Sequence, residues 1–290
     1  MRFLTGFSQI ASAYDGFVLD LWGVIHDGVN AFPHAVDCLG RLRDAGKRTL
    51  LLSNVPRPNE AVRTMMRGMG IEDALYTDIL TSGEAVRDAL MNPPDAWWSA
   101  LGRRVYHLGP ARDRPVLEGL PLTTVATPAE ADFVLNTGPD DHRNPSDMNE
   151  FEPTLQDCAR HRLPMICGNP DLEVIRGGVR VLCAGSLAVR YQVLGGDVRS
   201  LGKPDPAIYR PVLARLGLPR ERVLAVGDSL RTDIAGASSV GLDACWVLDG
   251  LHGAELRHAD GSYDPALVEE VARAAGMAPV AAMARFGWRS

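Results

Sequence analysis

The chain has 290 residues, 46% of them hydrophobic, enough for a sizeable core and for two lobes. Its 30 lysines and arginines against 36 aspartates and glutamates give a net charge of −6, which argues against a general nucleic-acid binder but permits a small anionic substrate. The longest apolar runs are strand-sized and broken by charge, so no membrane span is expected.

The opening stretch MRFLTGFSQIASAYDGF is weakly apolar and soon meets Tyr14 and Asp15, which does not resemble a secretory signal. GFVLDLW then reads as a buried strand, AVDCLGRLRDAGK as an amphipathic helix stopped at Gly46, RTLLLSN as a strand and PNEAVRTMMRGMG as a helix. After the helix-like SGEAVRDAL, the Pro- and Trp-rich MNPPDAWWSALG breaks this rhythm. Three short strands are predicted next, in RVYHLG, DFVLNTG and PMICGNPD, followed by a helix in GSLAVRYQVLGG. The strand–helix–strand rhythm returns in RVLAVGDS, DIAGASSVG and DACWVL. This grammar predicts an α/β fold, a Rossmann-like parallel sheet covered by helices, with an inserted α/β lobe. The expected boundaries are 1–88 and 200–290 for the core and 89–199 for the insertion. The five cysteines (Cys38, Cys158, Cys167, Cys183, Cys245) form no CxxC, so buried thiols in a cytoplasmic protein are expected rather than disulfides or zinc ligands.

Four polar clusters stand at predicted strand ends far apart in sequence. Asp20 follows FVL, Ser53 and Asn54 follow TLLL, Lys203 lies in LGKPDP, and Asp228 and Asp233 lie in AVGDSLRTD. A doubly wound sheet gathers such ends along one edge. Together they supply a carboxylate nucleophile, a hydroxyl donor, a cation and two hard oxygen ligands, the equipment for phosphoryl transfer with Mg²⁺. Taken singly, each has an ordinary reading as a turn or helix cap.

The ordered combination resembles the haloacid dehalogenase (HAD) superfamily, specifically the subfamily IIA, NagD-like branch with a C2-type α/β cap. DLWGVIHDG, LLSN, GKPDP and GDSLRTDIAGA resemble its four motifs in order, the insertion falls between the second and third, and ILTSGEA and CGNPDLEV resemble further stretches of that branch. The resemblance implies Asp20 as the nucleophile that forms an aspartyl phosphate. It implies Ser53 as hydrogen-bond donor to the phosphoryl oxygens, Asn54 as support for that loop, and Lys203 as a bridge between nucleophile and phosphoryl charge. Asp228, Asp233, Asp20 and the backbone carbonyl of Trp22 would hold Mg²⁺, and Gly23 would permit the tight turn.

Trp22 departs from the pattern, because the family's phosphatases carry a carboxylate there as general acid and base. An indole has no accessible proton chemistry near neutral pH. The loss of general acid–base help is worth about 10²–10⁴-fold in rate, or roughly 3–5 kcal/mol. Three readings remain open: a leaving group needing little protonation, His26 or Asp27 as surrogate, or a phospho-ligand-binding sensor or partner protein without useful turnover.

Specificity contacts are expected from the cap, with Asn136, Asp140, His142 and Arg143 in NTGPDDHRN and Asn169 and Asp171 in GNPD as candidates; each also reads as a strand-terminal turn. Trp97 and Trp98 read as packing residues, and homo-oligomerisation through the cap stays open. The expected partner is a small phosphorylated metabolite. A dinucleotide-binding enzyme is disfavoured because GVIHDG does not match GxGxxG, and a P-loop kinase because GxxxxGK[ST] is absent.

Overall fold

The computed structural model describes residues 1–176 and 179–289. Its strands are β1 (Arg2–Leu4), β2 (Gly16–Leu19), β3 (Arg48–Ser53), β4 (Asp78–Thr81), β5 (Arg104–Leu108), β6 (Thr123–Val125), β7 (Phe133–Asn136) and β8 (Met165–Cys167), then β9 (Glu173–Arg176), β10 (Val179–Leu182), β11 (Val198–Ser200), β12 (Val223–Gly227), β13 (Asp243–Val247) and β14 (Ala281–Met283). The chain divides into two units. Met1–Ser53, Arg63–Leu80 and Lys203–Ser290 form the core unit, and Asn54–Val62 and Thr81–Gly202 form the inserted unit.

In the core unit, Phe17, Val18 and Leu19 on β2 and the whole of β12 are buried, as expected for strands covered on both faces. The sheet order is β1-β14-β13-β12-β2-β3-β4. In chain order the strands run outward one way from β2 through β3 to β4 and the other way from β12 through β13 to β14. Strand order therefore reverses between β2 and β12, the position at which open parallel sheets bind ligands. The pairs around the reversal are parallel, with Leu19 opposite both Val226 and Leu51, so their carboxyl ends lie level.

The inserted unit holds a second parallel sheet in the order β11-β8-β7-β5-β6, and a separate antiparallel pair, β9 and β10. Val105, Phe133, Leu135 and Ile166 pack with Val86 and Ala89 of the helix Ser82–Met91 and with Trp98. That packing places the helix, expected in the core, with the insertion instead. Further ties join it to 54–62: the Thr81 hydroxyl donates to the Arg57 carbonyl at 2.6 Å, and the Gly83 amide donates to the Val55 carbonyl at 3.1 Å.

Most predicted strands and helices are present, including the helices Pro33–Asp44, Asn59–Gly68 and Ala184–Val193. MNPPDAWWSALG contains one short helix, Ala96–Ser99, whose N-terminal amides are capped by Asp95. β1, β4, β6, β9, β10, β11 and β14 were not foreseen; β1 and β14 pair with each other at the edge of the core sheet. Among the described residues, no helix is long and apolar enough to cross a membrane. All five cysteines are buried thiols.

Candidate active site

The first cluster begins where β2 ends. The Asp20 amide donates to the Val226 carbonyl at 2.9 Å, so the β2–β12 ladder continues through Asp20 itself and directs its side chain from the switch point. The carboxylate accepts the Lys203 ammonium at 2.5 Å through Oδ1. Lys203 also donates to Asp233 Oδ1 at 2.6 Å and to the Leu52 carbonyl at 3.0 Å, next to Ser53 at the end of β3. A lysine only 3% exposed is tolerable here because two carboxylates and a carbonyl replace its lost water.

The acidic turn after β12 is held as firmly. Ser229 caps the single π-helical turn Leu230–Ile234 by accepting the Thr232 amide, and that turn runs on into the helix Ala235–Ser239. The Ser229 amide in turn donates to Asp233 Oδ2 at 3.0 Å. Asp228 Oδ2 accepts the Leu251 amide at 2.8 Å, while the Trp246 indole donates to the Asp228 carbonyl at 2.9 Å. Gly23 (φ 77°) lies so close that a Cβ there would overlap the Asp228 carboxylate. The turn after Asp20 thus needs glycine for its backbone angle and for space.

Asp20, Asp228 and Asp233 each present an oxygen within 4.8 Å of the others. Burial pushes the Asp228 carboxyl well above the usual range, and the neighbouring charges of Asp20 and Asp233 push it further. Three carboxyl groups gather around one ammonium in this buried site, so acidic groups outnumber the cation. An all-oxygen donor set with that acidic excess fits a hard divalent cation.

Trp22 lies two residues beyond Asp20, on the loop that follows β2. The Gly23 amide donates to the His26 carbonyl at 2.9 Å, and the indole lies edge-on to the His26 ring, centroids 5.9 Å apart. The indole also covers Gly28 (φ 87°), where any Cβ would overlap it. His26 is buried, and its Nδ1 accepts the Gly28 amide at 3.0 Å. Asp27 Oδ1 accepts the Val29 and Asn30 amides, which hold its carboxyl below the usual range, the Asn30 amide most strongly.

The structure therefore brings together Asp20, Lys203, Asp228 and Asp233, with Ser53 one residue beyond a carbonyl that Lys203 binds. The expected cap contacts belong to the inserted unit, where the side chains of Asn136, Asp140, Arg143, Asn169 and Asp171 brace its own loops and His142 contributes its backbone amide. Asn136 is fully buried, donates to the Ala184 carbonyl at 2.9 Å and accepts the Gly138 amide. Arg143 does not stand open to an anion: it pairs with Asp140 and Thr154 and stacks on Phe151. Asp140 also accepts the His142 amide. Asn169 accepts the Asp171 amide, and Asp171 accepts the Asn54 side-chain amide at 2.9 Å. These are the strand-terminal turns that their Asn and Asp content also predicted. Sequence reasoning missed the Leu251 amide and the Trp246 indole, both of which position Asp228; the first is a backbone donor, which leaves no residue signature.

Two family models match, one of a haloacid dehalogenase-like hydrolase over residues 17–123 and a HAD-hydrolase-like model over 200–279. Chronophin from Bos taurus is 28% identical over 263 residues, 85% of each chain. Ribonucleotide monophosphatase NagD from Escherichia coli (strain K12) is 29% identical over 238 residues, 81% of this chain and 87% of that one. A solved hydrolase of the haloacid dehalogenase-like family from Brucella suis 1330 superposes with a TM-score of 0.80 at 32% identity, covering 98% of this chain and 99% of that chain. With that identity over nearly the full length of both chains, and the motif order carried to one sheet edge, this chain belongs to the haloacid dehalogenase-like hydrolases, in their NagD-like phosphatase branch.

Proposed function

We propose that the chain is a Mg²⁺-dependent hydrolase of a small phosphorylated metabolite, acting through phospho-Asp20. The observation that carries this reading is the Asp20–Lys203–Asp233 chain of ion pairs, with Asp228 beside it, at the reversal of strand order. The phosphatase names of the relatives support it. Asp20 supplies the carboxylate that attacks phosphorus. Lys203 holds that carboxylate in place and offsets phosphoryl charge, while Asp233 fixes the ammonium. The Ser53 hydroxyl donates to a phosphoryl oxygen, and Asn54 braces the following loop through Asp171. Asp20, Asp228, Asp233 and the Trp22 carbonyl would hold Mg²⁺, which would supply charge neutralisation for the transferring group. The inserted unit serves as the cap that selects the substrate. The cytoplasm is the expected compartment, where the five thiols stay reduced.

Trp22 favours one rival, a protein that binds a phosphorylated ligand and turns it over poorly. The deciding experiment is a phosphatase panel of alkyl monoesters, acyl phosphates and anhydrides with and without Mg²⁺, run beside Asp20→Asn. Mg²⁺-dependent release of phosphate that disappears in the variant supports the hydrolase. Tight phospho-ligand binding without phosphate release from any donor establishes the rival.

A further inference from the structure

We propose that phospho-Asp20 accumulates: the chain takes a phosphoryl group from donors whose leaving group departs without a proton and then yields it only slowly to water. This rests on the hydrolase reading above. The donors are acyl phosphates, aryl phosphates and phosphoanhydrides, in contrast to alkyl monoesters.

Transfer to water proceeds in two half-reactions. In the first, a lone pair on the Asp20 carboxylate forms the new oxygen–phosphorus bond while the bond to the leaving oxygen breaks. The leaving oxygen keeps that electron pair. A carboxylate, phenolate or phosphate is stable in this form, whereas an alkoxide requires a proton from an acid. In the second, water attacks phosphorus, the bond to Asp20 breaks and its carboxylate departs with the pair. That carboxylate needs no acid, but the attacking water must lose a proton, which without a protein base passes directly to solvent. A poor donor therefore fails at the first step, and every donor meets the same unassisted second step.

The loop that follows Asp20 offers no base for that water. Trp22 is an indole, packed against Gly28 and the His26 ring. His26 is 2% exposed; with Nδ1 accepting the Gly28 amide, its ring proton lies on Nε2, leaving no lone pair to receive another. Asp27 is turned into its own 27–30 turn by two backbone amides. Lys203 is a cation bound to two carboxylates, Asp233 is engaged by Lys203 and by the Ser229 amide, and Asp228 by the Leu251 amide. A missing base costs about 10²–10⁴-fold, and here that cost falls on release of the phosphoryl group from the protein.

Rapid-quench kinetics with Mg²⁺ test this on 4-nitrophenyl phosphate, acetyl phosphate and glycerol phosphate. The expected result is a burst of nitrophenolate equal to the enzyme concentration, followed by a steady state at least about tenfold slower. Acetyl phosphate should reach the same steady rate, since both donors share the slow step, and glycerol phosphate should fall well below it. Intact-mass spectrometry of the quenched chain should show one added phosphoryl group, absent in Asp20→Asn. Trp22→Asp should remove the burst and raise the steady rate about tenfold or more, while Trp22→Asn, without a base, should keep the burst. If Trp22→Asp does not fold, the burst and mass of the unaltered chain still decide. Turnover that Asp20→Asn abolishes, with neither burst nor phosphoprotein, overturns this inference and leaves the hydrolase standing. No turnover and no phosphoprotein with any of the three donors overturns both.

Discussion

Gly28 illustrates how one residue's backbone and another's side chain specify each other. Its φ of 87° disfavours any side chain, and the Trp22 indole lies where a Cβ would be. Gly28→Ala should therefore cost about 1–3 kcal/mol from backbone strain and also displace the indole. Pairing it with Trp22→Ala should recover the part due to the overlap but not the part due to φ, and a double-mutant cycle from urea denaturation separates the two. An additive cycle would show that the indole and Gly28 do not constrain each other. The same contact explains why Trp22 is not an idle replacement: the loop after Asp20 is shaped around an aromatic ring.

At the scale of elements, the ends of β5 and β7 bring a titrating histidine to a threonine hydroxyl in the inserted unit. His107 Nε2 lies 2.9 Å from the hydroxyl of Thr137, just past β7. Burial, reinforced by the charge of Arg114, lowers the imidazole from 6.5 to about 4. The unfolded chain thus binds a proton near pH 6.5 that the folded chain accepts only near 4. Stability from this group is fully present above about 6.5 and is lost as pH falls towards 4, with a ceiling of roughly 3 kcal/mol at about 1.4 kcal/mol per unit. The urea midpoint of the unaltered chain should fall across that window, and His107→Gln should flatten the decline. An unchanged slope in the variant would place the proton uptake elsewhere.

For the whole molecule, the acidic cluster links cation binding to stability. Burying Asp228 beside two further carboxylates is unfavourable, and a divalent cation that binds only the folded chain offsets it. At a concentration about 100 times its dissociation constant, such a cation adds about 2.7 kcal/mol. Thermal denaturation with Mg²⁺ should show a midpoint several degrees higher than with a chelator. Asp228→Asn should abolish that difference and raise the metal-free midpoint, because a neutral amide is less costly to bury than a charge. A Mg²⁺ shift that survives Asp228→Asn would remove Asp228 from the cation's ligands.

Much of the fold was legible before the structure, because buried parallel strands are written as apolar runs and the helices between them as amphipathic ones. GFVL, TLLLS and VLAVG are such runs, and the polar residues ending them mark the sheet edge. β1, β4, β6, β9, β10, β11 and β14 escaped notice because strands of three or four residues carry too little pattern, and the helix Ser82–Met91 was assigned to the core because its periodicity does not say which sheet its apolar face meets. Residue types alone also could not distinguish a turn brace from a ligand contact, as Arg143 and Asn136 show. What the sequence determined by itself was the set of chemical groups and their order, including the indole at position 22, since these are local properties of the chain. What only the tertiary structure decided was convergence: Asp20, Lys203, Asp228 and Asp233 share one buried site because strand register sets β2 level with β12, and register comes from long-range pairing.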